Sequence, residues 1–158
     1  MKQIRQGVFE TNSSSTHSIC VAKNIKNKLE LPKEIHFSYG EFGWEHDTLQ
    51  STYEKASYLY TALKYMSGTP EIDACLENVI SILKNKGIEI IYDNENDEGY
   101  IDHGYELSSF INEICNDETK LLNFLFSDLS FIITGNDNSD ESVDIITDYP
   151  SDIYYKGN

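Results

Sequence analysis

Apolar side chains recur at helical spacing in two neighbouring stretches, and these are the clearest structural signals in the chain. Ala56, Leu59, Tyr60, Leu63 and Met66 fall on one face of a helix. Ser51-Thr-Tyr-Glu54 precedes them with the form of a capping box, in which the serine side chain bonds the amide three residues on. Gly68 ends this helix. Thr69-Pro70-Glu71 opens the next, with proline at the first position, where its missing N–H does no harm. Leu76, Val79, Ile80 and Leu83 form the second stripe, and Lys84-Asn-Lys86-Gly87 stops it with cations at the negative end. The two make an αα-hairpin over about 51–86. A third helix, about Glu106 to Cys115, carries Leu107, Phe110, Ile111 and Ile114; Asp117 caps a fourth with Leu121, Leu122, Phe124 and Leu125.

Strand signals are shorter. Residues 2–9 and 18–23 read as strands around a polar loop, Glu10 to His17. Alternation in Glu34 to Tyr39 predicts a third strand, followed by an aromatic loop with two glycines, Gly40 to Asp47. Ile88 to Tyr92 is an apolar strand with Gly99 to Asp102 as its partner across an acidic turn, Asp93 to Glu98. Leu129 to Thr134 returns as a strand and Gly135 to Glu141 as a turn, while Val143 to Tyr155 fits strand or helix. Without βαβ regularity, these elements predict one α+β domain over 1–158, a mostly antiparallel sheet packed against about four helices.

Composition narrows the class. With 158 residues the chain can bury a core without staples, and 39% apolar residues argue against wholesale disorder. Eleven tyrosines suit half-buried positions and contact surfaces. Cys20, Cys75 and Cys115 show no zinc spacing and read as buried thiols of a reduced compartment. The amino terminus lacks the apolar run of a signal peptide, and no stretch has the roughly 20 apolar residues of a membrane span. The expected location is cytoplasmic, with no membrane partner and no cofactor.

Charge changes the picture more. The net charge is −15, unevenly spread. Residues 1–33 hold six Lys or Arg and two acids, +4, whereas residues 34–158 hold six Lys and twenty-five acids, −19. Direct nucleic-acid binding, which needs a cationic face to release counterions, is not expected. A basic protein partner or imitation of a phosphate backbone fits, beside the plain alternative of a solvated acidic surface.

One segment stands apart in specificity. Arg5-Gln-Gly-Val-Phe-Glu-Thr-Asn-Ser-Ser-Ser-Thr-His-Ser18 resembles the opening of small proteins found in phages and mobile elements of low-GC Gram-positive bacteria, which begin R-x-G-V-F-E-T-N-S-S-S-T-H-S. Tyr100-Ile-Asp-His103, Phe124-Leu-Phe126 and Ile132 to Asn138 are weaker points of likeness to the same group. The resemblance implies a phage or prophage setting and no mechanism.

Chemically, Arg5, Asn12, Ser13, Ser14, Ser15 and His17, with His103, are the candidate ligand-binding residues. Hydroxyls and backbone N–H groups could wrap an anion such as a nucleotide or phosphoester, with Arg5 forking onto it. The alternatives are a self-bonded polar loop or a structural network that pins the amino terminus to the sheet. A Ser/His/Asp set, with Ser13, Ser14 or Ser15 as nucleophile, His17 or His103 as base and Asp102 as orienter, lacks a G-x-S-x-G elbow. Whether the chain is an enzyme stays open. Asp93 to Gly99 and Asp137 to Glu141 fail the EF-hand pattern, and His36, His46, Glu45 and Asp47 match no metal motif, so no metal site is expected. Tyr39, Phe42 and Trp44 are candidate partner-binding aromatics, unless Trp44 plugs the core edge; Asp137, Asp140 and Glu141 are the acidic candidates. The leading expectation is an acidic interaction protein that blocks a basic, nucleic-acid-binding or defence protein of the host. The alternative is a small-ligand protein or enzyme using Arg5 to Ser18.

Overall fold

A computed structural model describes residues 15–23, 28–93, 98–136 and 153–157. The chain runs β1 (Ser15–Val21), β2 (Glu34–Phe37), β3 (Glu41–Phe42), β4 (Asp47–Leu49), α1 (Thr52–Tyr65), α2 (Pro70–Asn85), β5 (Glu89–Tyr92) and β6 (Tyr100–Ile101). A 3-10 turn over Gly104–Leu107 leads into α3 (Ser108–Cys115), then α4 (Glu118–Phe126), β7 (Phe131–Asn136) and β8 (Ile153–Gly157).

The helices form where the stripes and caps require. Ser51 accepts from the Glu54 amide while the Glu54 carboxylate accepts from the Ser51 amide, closing the capping box. Thr69 caps α2 ahead of Pro70, and the Asp117 side chain accepts from the Lys120 amide at 3.0 Å. At the end of α2, the Gly87 amide bonds the Lys84 carbonyl and the Ile88 amide reaches back to the Leu83 carbonyl. Gly87 takes φ +77°, the left-handed conformation this reversal needs.

The α+β class holds. A four-stranded sheet in the order β4-β7-β1-β8 is antiparallel at every pairing, and two short strand pairs accompany it. Helix α1 lies at the centre, packed on β2, β6, α2 and α4. Leu59, Leu63, Ile19, Val21, Phe37, Ile111 and Phe124 belong to one continuous core.

Several boundaries differ from the sequence reading. The stretch 15–17, expected in a polar loop, belongs to β1, whose register runs from Ser15↔Asn136 to Cys20↔Phe131. Ser15 and His17 look like loop residues, but they share the inward face with Ile19 and Val21 and their polar atoms find partners there. The expected hairpin between 88–92 and 99–102 does not form. β5 instead pairs in parallel with β2 (Ile35↔Ile90), and β6 in parallel with β3 (Phe42↔Ile101). A short polar connection mimics a hairpin turn, but here the αα-hairpin serves as the long crossover that parallel strands need. The aromatic loop contains β3, and β4 follows it on the edge of the main sheet. Gly135 and Asn136, expected to open a turn running to Glu141, belong to β7, and Ile153 to Tyr155 fall in β8. The strand expected over 2–9, and all of 137–152, lie outside the described residues.

Lys55 is the unusual core member. It sits on the inner side of α1, 1% exposed, and its Nζ donates to the carbonyls of Ser127 at 2.7 Å and Ser130 at 2.9 Å. Burial lowers its pKa to about 8. One of the six lysines beyond residue 33 is thus withdrawn from the surface.

Candidate functional site

β1 brings Ser15 and His17 to α1 and to the turn after β6. His17 is fully buried; its Nε2 lies 2.7 Å from the backbone carbonyl of Asp102, and its Nδ1 lies 2.8 Å from the Tyr58 hydroxyl. A carbonyl only accepts, so the hydrogen is on Nε2 and Nδ1 accepts the Tyr58 proton. Burial pushes His17 below the usual histidine range and the Tyr58 hydroxyl well above the usual phenol range. The pair is neutral near pH 7.

Asp102 joins this pair to two more hydroxyls. Ser15 donates to one carboxylate oxygen and Tyr100 to the other, the latter at 2.8 Å. Burial works to raise the Asp102 pKa, but these two hydrogen bonds outweigh it and hold the carboxyl below its ordinary range. Gly43 closes the cluster from the β3 side. At φ +104°, its missing Cβ would lie 2.8 Å from His17 Cε1, so a side chain there would strike the ring.

Ser15 is buried, and its hydroxyl donates to the Asp102 carboxylate and not to His17, so the Ser/His/Asp order of the expected set is not formed. His17 has spent both nitrogens within the fold. The cluster ties β1, α1 and the end of β6 together. His103 lies just beyond, in the left-handed region at φ 53°, with Nδ1 3.5 Å from a Glu106 carboxylate oxygen. Arg5, Asn12, Ser13 and Ser14 lie outside the described residues, as do Asp137, Asp140 and Glu141.

Outside this strut is an aromatic surface. Tyr65, Tyr100 and Tyr105 are 37%, 45% and 71% exposed, and the Tyr65 ring contacts those of Tyr100 at 5.7 Å and Tyr105 at 5.8 Å. Asp102 and Glu106 stand beside them in sequence, Asp102 bonded to Tyr100. Trp44 is 59% exposed, so it does not plug the core, and it follows Gly43, which abuts Asp102. Tyr39 and Phe42 differ from it. Each is partly buried, with Tyr39 against Tyr60 and Phe42 edge-on to Tyr58. The sequence reading missed Tyr65, Tyr100 and Tyr105. Their spacing carries no periodic signal, and only the β3–β6 pairing and the helix end bring them together.

Among the described residues no group of three or more His, Cys, Asp or Glu side chains is placed to hold a metal ion. No helix there is long and apolar enough to cross a membrane. Comparison with family models, with curated proteins and with solved structures finds no match.

Proposed function

We propose that this chain is an acidic interaction protein of phage or prophage type, which engages a basic host protein and blocks that protein's nucleic-acid-binding surface. The observation that carries the reading is the exposed tyrosine set, Tyr65, Tyr100 and Tyr105, beside the carboxylates of Asp102 and Glu106. Tyrosine faces attract Lys and Arg through their ring quadrupoles, and exposed clusters of Tyr and Trp are favoured hot spots. The balance of −19 over residues 34–158 would attract a cationic partner to the molecule. Withdrawal of Lys55 into the core strengthens that asymmetry. The rival reading, an anion site on Arg5 to Ser18, draws no support from Ser15 and His17, whose polar atoms are engaged internally.

The test is capture of host proteins on the immobilised chain, with elution by salt. Basic, nucleic-acid-binding proteins should be retained at low ionic strength and released as screening rises, and Tyr105→Ala should release them at lower salt. Retention that ignores both salt and Tyr105→Ala, or no basic protein retained at all, sinks the proposal.

A further inference from the structure

A second surface lies near the other end of α1. A cleft of about 300 Å³ opens between β2 and the first turn of α1, lined by Glu30, Pro32, Glu34, His36, Tyr53 and Phe126 among others. This volume is at the lower limit for small-molecule sites and suits one long side chain. Pro32, Tyr53 and Phe126 provide apolar wall, while Glu30 and Glu34 supply carboxylates.

His36 completes the electrostatics. Its Nδ1 lies 2.9 Å from Asp93 and its Nε2 3.4 Å from Glu34, and its ring lies 6.5 Å from that of Tyr53. Even with His36 protonated, Glu30, Glu34 and Asp93 leave the cleft net negative. An anionic ligand is repelled. A divalent ion finds both ring nitrogens of His36 already facing carboxylates.

We infer that this cleft receives an arginine side chain of a basic protein partner. The arginine methylenes would lie along Pro32 and Phe126, with the guanidinium plane on Tyr53 and its N–H fork on Glu34 or Glu30. Arginine fits better than lysine because its planar head stacks on a ring and bonds a carboxylate two-fold. This inference rests on the proposed engagement of a basic protein and adds an independent contact to it.

The experiment uses the full chain and needs no partner: an NMR titration with N-acetyl-arginine methylamide, and with its uncharged citrulline analogue. The arginine probe should shift the amides of Glu34, His36 and Tyr53, and the citrulline analogue should not. Glu34→Gln, a surface change that leaves the spectrum dispersed, should weaken the arginine probe by about threefold or more. Tyr53→Ala should weaken it further. Equal response to both probes, shifts confined to other surfaces, or unchanged binding in both variants would overturn the inference. Those outcomes leave salt-sensitive capture through Tyr100 and Tyr105 untouched. If the cleft binds arginine but no basic protein is captured, the contact stands and the proposed function fails.

Discussion

Tyr58 gives its hydroxyl proton to Nδ1 of His17 across 2.8 Å, joining the middle of α1 to an inner strand of the main sheet. Neither group has access to water, so neither can exchange this partner for solvent. Such a bond matters less for what it adds than for what its loss leaves behind.

Tyr58→Phe keeps the ring and deletes the donor, leaving Nδ1 of His17 buried and unsatisfied. The expected cost is about 1–3 kcal/mol, seen as a lower urea midpoint at unchanged slope. A Tyr58→Phe protein as stable as the parent would show that His17 is held by other means.

The same burial makes stability depend on pH. His17 has a folded pKa below its unfolded value of about 6.5, so the unfolded chain binds protons first as pH falls. Its contribution is complete above about pH 6.5 and is lost as pH drops toward the folded value. His36 acts in the opposite sense. The Asp93 and Glu34 hydrogen bonds raise its pKa, so its contribution is complete below about pH 6.5 and fades as pH rises through the folded value. In a His36→Asn background, the urea midpoint should therefore fall between about pH 7.5 and about pH 5.5 more steeply than in the parent. An equal or shallower fall would contradict this assignment.

Gly43→Ala combines a disfavoured φ with a methyl group driven onto His17, and should cost about 2 kcal/mol or more. Gly87→Ala meets the φ penalty alone, since nothing lies within 4 Å of the added Cβ. Thermal unfolding of the two variants should rank Gly43→Ala as the more damaging. The reverse order would mean that the β3 loop moves aside readily.

Lys55 offers a fourth check. Its folded pKa of about 8 lies below the unfolded value near 10.5, so its charge opposes folding and that penalty lifts as pH rises between the two. The stability of the parent relative to Lys55→Met should grow between about pH 7 and about pH 9.5, measured by urea unfolding at each pH. A constant difference would mean that the ammonium is better solvated than its two carbonyl contacts suggest.

These residues also show how far the sequence could be read. Helix stripes and caps depend on neighbours within four residues, so Ser51, Glu54, Thr69, Pro70 and Asp117 declared α1, α2 and α4 in advance. Strand partners are chosen by contacts far along the chain. Nothing local told Ile90 to pair with Ile35, 55 positions earlier, in place of the nearby Tyr100 stretch. The cluster was half legible. Ser15, His17 and Asp102 attracted attention as polar residues in a motif, but Tyr58 stood outside the helix stripe and carried no signal, and its hydroxyl decides what His17 can do. The exposed tyrosines were hidden for the same reason, because Tyr65 and Tyr100 meet only through tertiary packing.

The position of β1 has a consequence for how the molecule is made. Its neighbours on the two sides are β7 and β8, and the registers Ser15↔Asn136 and His17↔Gly157 place both more than a hundred residues downstream. At a ribosomal pace of about 5–20 residues per second, the strand is synthesised several seconds before either neighbour exists. Throughout that interval the nascent chain carries Ile19, Cys20 and Val21 with both hydrogen-bonding edges open. For this fold, the vulnerable moment is birth, and a chaperone that shelters the early strand would matter more than any aid to the helices.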